Sequence, residues 1–128
     1  MGRESIELEA YSHGAPIPSA CRVGPLVMTS AIPGRSPQTG ELGADLDEQV
    51  GFAFEGLAQI FEQAGGSVAD IARVTVLMTS REDRKVLNRH WERWFPDPAS
   101  RPARHVQEMA LPPSILIQVE AVGFIERG

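Results

Sequence analysis

From Asp45 onward the chain takes up a helical rhythm. Leu46, Val50, Ala53, Phe54, Leu57, Ile60, Phe61 and Ala64 recur at spacings of three and four, so they share one face of a helix. Asp45, Asp47 and Glu48 put negative charge in its first turn, where the helix dipole favours it. Gly65-Gly66 ends the run, because glycine accepts the left-handed conformation that follows a helix. The period then falls to two over residues 70–80. Val74, Val76 and Met78 lie on one side of the predicted strand, and Arg73, Thr75, Leu77 and Thr79 on the other. A second helix is predicted over 81–95, with Val86, Leu87, Trp91, Trp94 and Phe95 as its apolar stripe and "FPDP" as its stop.

The flanking segments read as strands and turns. In "MGRESIELEA", Ile6, Leu8 and Ala10 alternate with Glu7 and Glu9, which predicts a strand. "HGAPIPSA" (13–20) is a proline loop, and "CRVGPLVMTSA" (21–31) holds two short strands about a Gly24-Pro25 turn. "IPGRSPQTGELG" (32–43) reads as an exposed loop. Two further strands, 103–109 and 115–125, flank Leu111-Pro112-Pro113. The order is βββαβαββ, an α+β class in which helices cover one face of a largely antiparallel or mixed sheet. In the last strand Ile115, Ile117, Val119 and Ala121 line one face, while Leu116, Val122 and Phe124 keep the other largely apolar beside Gln118 and Glu120. Helices on one face leave the second uncovered, so a homo-oligomer is expected to bury it.

Composition narrows the function. The 128 residues fit one domain, 1–128, and 42% apolar content suits a folded core. No apolar run approaches the ~20 residues that span a bilayer, and the opening has no signal-peptide core, so no membrane partner and a cytoplasmic location are expected. A net charge of −5 with scattered basic residues gives no footprint for nucleic acid. The lone Cys21 excludes an intrachain disulfide, and His13, His90 and His105 have no ligand spacing, so no metal or other cofactor is expected.

No nucleophile motif and no phosphate loop is present. Cys21 beside Arg22 reads as a small buried strand residue, and His90, next to Trp91, as a packing residue. The run Arg81, Arg84, Lys85, Arg89 and Arg93 reads as a solvated helix face. Arg104, in "RPARHVQE", starts a strand after a proline-bounded turn. If 103–109 and 115–125 are neighbours, Gln118 and Glu120 would converge with it. Its guanidinium then fits either a bidentate carboxylate clamp or a structural salt bridge.

The ordered segments "VGPLVMTS" (23–30), "PQTGEL" (37–42), "DEQVGFAFEGLAQIFEQAGGSVADIARVTVLMTS" (47–80), "LNRHWERWFP" (87–96), "PARHV" (102–106) and "LPPSILIQVEAVG" (111–123) together resemble the YjgF/RidA family, also called the L-PSP family. The resemblance implies a chorismate-mutase-like fold and a homotrimer with clefts between subunits. It also implies enamine/imine deaminase activity, the cofactor-free hydrolysis of reactive 2-imino or enamino acids to 2-oxo acids and ammonia. Arg104 matches the arginine that clamps the substrate carboxylate, Ser30 a serine that bonds the ligand, and Asn88 an asparagine near the cleft.

The chain departs from that pattern in several places. The family's glutamate at the start of "IEIEA" is Gln118 here, which can orient water but cannot act as a base. Glu120 shares its face and is a candidate substitute. Ile17 replaces an aromatic residue, and Ser30-Ala31-Ile32 stands where "SGQ" is usual. These changes imply a Rid-like protein outside the archetypal deaminase subgroup, with a larger or more apolar substrate. A trimer that binds small carboxylate metabolites without turning them over is the second reading. Ribonuclease activity, an older label in the family, suits neither the charge nor the lack of base-stacking residues.

Overall fold

A computed structural model describes residues 2–12 and 14–126; the readings above that involve Met1 and His13 lie outside the described residues. The strands are β1 (Arg3–Ile6), β2 (Ala20–Val23), β3 (Leu26–Thr29), β4 (Ile32–Pro33), β5 (Ile71–Met78), β6 (Ala103–Glu108) and β7 (Ile117–Phe124). The helices are α1 (Leu46–Gln63) and α2 (Arg84–Trp94), and α2 is preceded by a 3-10 turn at Arg81–Asp83. This is the expected order with one addition, the short β4. The class is α+β with a mixed sheet.

Both ends of α1 form by the chemistry its sequence carries. The Asp45 carboxylate accepts a hydrogen bond from the Glu48 amide at 2.9 Å. At the other end Gly65, at φ 96°, lets its own amide reach Glu62 O and the Gly66 amide reach Phe61 O. Arg22, buried on β2, adds a charged cap by donating to the carbonyl of Ala64.

The sheet runs β1-β2-β3-β7-β5-β6, with β4 pairing β7. All ladders are antiparallel except β5–β6, which is parallel because α2 provides the crossover. Strand β7 is central, as a strand apolar on both faces should be. Ile117, Val119 and Ala121 meet Val74, Val76, Met78 and Val27 beneath Val50, Phe54, Leu57 and Phe61 of α1. Each such large side chain contributes roughly 1.5–3 kcal/mol by leaving water. Phe54, Trp91, Trp94 and Phe95 form an aromatic cluster that docks α2 on α1, with ring centroids 4.7 Å apart for Trp91 and Phe95.

Among the described residues no helix covers the opposite face. Val23, Leu26, Met28 and Phe124 are exposed on it, with Leu26 opposite Phe124 and Met28 opposite Val122.

Four expectations need correction. Strands 103–109 and 115–125 are not neighbours, because β5 lies between them and takes β6 as its parallel edge partner. The strand predicted across the opening ends at Ile6, where its partner β2 runs out. Leu8 still packs in the core, its amide held by Ser19 Oγ at 3.3 Å. The 32–43 loop is not simply exposed: Ile32, Gly34, Ser36, Pro37 and Gly43 are buried. Gln49 explains this, since its side chain donates to Gly43 O and Ser114 O and accepts from the Leu116 amide at 2.9–3.1 Å. Gly34 and Gly43 lie so close to Gln49 that a Cβ would approach within 2.4 and 2.6 Å. Cys21, finally, is only half-buried and faces the uncovered side, while Arg22 points to the helix side.

Candidate functional site

At one end of the sheet the chain encloses a cavity of about 530 Å³. Its wall is built where β3 leaves the ladder. Thr29 Oγ accepts from the Ala121 amide at 3.0 Å, taking the place of a lost backbone partner. Ser30 then turns away, its amide bonding Ser19 O and its hydroxyl donating to Pro18 O at 2.8 Å. The proline loop is thereby drawn over the cavity and brings Ile17 to its rim. Gln118 enters from β7, opposite Pro33 of β4. Three of the expected residues, Ile17, Ser30 and Gln118, therefore line one space. The Gln118 amide makes no side-chain hydrogen bond among the described residues, so it is free for water or ligand.

Two residues absent from the sequence reading share this wall. Tyr11 donates its hydroxyl to Arg35 O at 2.9 Å and packs against α1 at Gly56, where a Cβ would come within 2.3 Å of Tyr11 Oη. Burial, then the charge of Glu55, raise the pKa of this phenol well above its ordinary 10.0, so it remains a donor. Arg35 itself lines the cavity, with Nη1 donating to Gly40 O at 3.3 Å. Its one visible signal in the sequence is that it is the sole cation between Val23 and Gly40.

Arg104 lies elsewhere in the chain. It pairs with Val74 and so points to the helix side, whereas Gln118, opposite Leu77, points to the uncovered side. Half-buried, its guanidinium rests 5.0 Å from the Trp91 ring centroid. The ion pairs among the described residues both belong to Asp47, with Arg89 and with His90, so Arg104 has no carboxylate partner there. Desolvation, then repulsion from Arg84, lower its pKa from that of a free guanidinium without discharging it. Among the described residues it is a partly dehydrated cation on an edge strand with no acidic partner.

Glu120 is exposed, opposite Thr75 and outside the cavity lining, so it does not join Gln118 in the pocket. Asn88 is exposed on α2 and also lies outside the lining. His90 is buried, with Nε2 2.8 Å from Asp47 Oδ1, consistent with a packing role that ties α2 to the start of α1. A second hollow of about 560 Å³ adjoins Arg22 and Phe124, but Arg22 is already spent on Gly24 O and Ala64 O. Among the described residues no three His, Cys, Asp or Glu side chains converge as a metal-ligand set. No helix there is long and apolar enough to cross a membrane.

Comparison with known proteins agrees with this architecture. TdcF of Escherichia coli is 34% identical over 78% of the chain and 79% of that protein. Its crystal structure with bound serine superposes with a TM-score of 0.84 over 96% of this chain and 99% of TdcF, at 30% identity. The 2-iminobutanoate/2-iminopropanoate deaminase of E. coli is 33% identical over 78% of this chain and 80% of its own. RidA from the Antarctic bacterium Psychrobacter sp. superposes with a TM-score of 0.86 at 30% identity, over 95% of this chain and 99% of its own. A family model described as Endoribonuclease L-PSP matches residues 8–125. With the fold, the relatives and the family model in agreement, the chain belongs to the YjgF/RidA (L-PSP) family.

Proposed function

We propose that this protein is a cofactor-independent enamine/imine deaminase that works as a homotrimer, with sites between subunits. The observation that carries this reading is Arg104: half-buried, set on Trp91, and without a carboxylate of its own chain among the described residues. Such a cation binds a small carboxylate well, because the planar fork matches its two oxygens. The exposed apolar face supplies the subunit contact, and β6, an edge strand, brings Arg104 of one subunit to the cavity of the next. Serine in TdcF and the imino acids in the deaminase's name are small molecules of the same carboxylate class.

The chemistry asks little of the protein. In R–C(=NH)–COO⁻ the imine carbon is already electrophilic, so orientation and a placed water account for the catalysis. Arg104 holds the carboxylate, Ser30 and Gln118 border the reacting carbon, and the Gln118 carbonyl accepts a hydrogen bond from the attacking water. The water oxygen bonds to carbon and its protons pass to nitrogen, which leaves as ammonia, so a 2-oxo acid remains. Gln118 takes no proton; the basic imine nitrogen and solvent do.

The test is 2-oxo acid formation from imines generated in solution. The protein should accelerate it, Arg104→Ala should remove the acceleration, and Arg104→Lys should restore only part. Gln118 in place of an acid favours one other reading, a trimeric binder of carboxylate metabolites without turnover. That reading requires saturable 2-oxo acid binding, lost in Arg104→Ala, with no imine hydrolysed faster than in buffer.

A further inference from the structure

The cavity beside Gln118 is charged in a way that the reaction above does not use. Arg35 is the one charged residue among the described residues lining it; neither Asp nor Glu is present. This occurs in a chain with a net charge of −5. Among the described residues its guanidinium makes a single side-chain hydrogen bond, to Gly40 O, which also lines the cavity, and has no acidic partner. Most of its five N–H donors are thus uncommitted. Its backbone is fixed from both sides, by Tyr11 Oη on its carbonyl and by its own amide on Pro33 O. An arginine anchored at its backbone and free at its tip, facing a space without acids, is arranged for an anion.

The geometry points to Arg35 as a specificity-determining residue that receives a second carboxylate, so that the preferred substrate is a 2-imino acid with an acidic side chain. This rests on the deaminase reading, in which Arg104 holds the carboxylate next to the imine carbon. Arg35 is surplus to that task, and a monocarboxylic imine would leave it unpaired. Ile17 at the rim and the cavity's size leave room for the intervening methylenes.

The experiment compares 2-iminoglutarate with 2-iminobutanoate, both generated in solution by an amino-acid oxidase. The wild-type protein should have the higher kcat/KM for 2-iminoglutarate. Arg35→Gln should lower the ratio of the two by about tenfold to a hundredfold, the range of one charge-assisted contact. Arg35→Lys should restore part of the ratio, and Arg35→Glu should invert it. Equal losses for both imines, or an unchanged ratio, would overturn the assignment. Should neither imine be turned over, the deaminase reading fails alone, and calorimetry with 2-oxoglutarate and 2-oxobutanoate still decides. Preference for 2-oxoglutarate that is lost in Arg35→Gln supports the site; equal affinities overturn it.

Discussion

The Arg104 guanidinium carbon stands 5.0 Å from the centre of the Trp91 ring, so the aromatic core of α2 also serves as the seat of a half-buried cation. The ring face attracts the charge and limits its rotamers, which lowers the entropy lost when a carboxylate binds. Trp91→Phe keeps an aromatic ring but a weaker one. It should raise the KM for a carboxylate substrate roughly three- to tenfold, in line with a cation–π contact of about 0.5–1 kcal/mol and some loss of positioning. Steady-state kinetics, with circular dichroism to confirm the fold, checks this.

Gln49 joins α1 to two loops, at Gly43 and at Ser114–Leu116. Gln49→Leu keeps the volume and removes all three hydrogen bonds, leaving the Leu116 amide and two carbonyls to find other partners. The expected loss is about 2–4 kcal/mol of folding stability, read from the urea midpoint. Because Ile115 and Gly40 line the cavity next to those loops, ligand affinity should fall as well.

Asp47 gives an acid-sensitive contact. Hydrogen bonds from His90 first and Arg89 second hold its carboxyl below the ordinary 3.8. A lowered folded-state pKa means that its contribution is complete above that ordinary value and is lost as pH falls through the folded value. Acid unfolding of the wild-type protein should therefore steepen below about pH 4, and Asp47→Asn should flatten that limb. Ellipticity at 222 nm against pH measures the slope.

The uncovered face offers a direct test of assembly. Phe124→Asp puts charge beside Leu26, its cross-strand partner, in the centre of the apolar patch. Analytical ultracentrifugation should show a trimer for the wild-type protein and a monomer for the variant, because burying one unpaired charge in each subunit costs several kcal/mol.

Much of the fold was legible because periodicity reports which face of an element is dry. The stripe from Leu46 to Ala64, the alternation at Val74, Val76 and Met78, and the two apolar faces of β7 each located an element correctly. Pairing order is not written in local pattern. The placement of β5 between β6 and β7 follows from the crossover through α2, and it separates Arg104 from Gln118, which only neighbouring strands would bring together. The buried part of 32–43 was hidden for a related reason. Proline and glycine mark loops, but whether a loop is covered depends on a distant side chain, here Gln49. Of the candidate residues, Ile17, Ser30 and Gln118 line one cavity, and Tyr11 and Arg35, which the local pattern did not single out, line it with them. Their signals, one tyrosine and one loop arginine, have no distinguishing spacing.

Arg104 and Gln118 point to opposite sides of one sheet, so under the intersubunit reading no chain owns a complete site. Two inactive proteins should then repair each other. Arg104→Ala contributes sound cavities and Gln118→Lys contributes sound arginines. If the two are unfolded together and refolded at equal concentration, random assembly leaves about one quarter of the interfaces with both parts intact. Activity should reappear at that fraction, from a mixture in which neither parent has any.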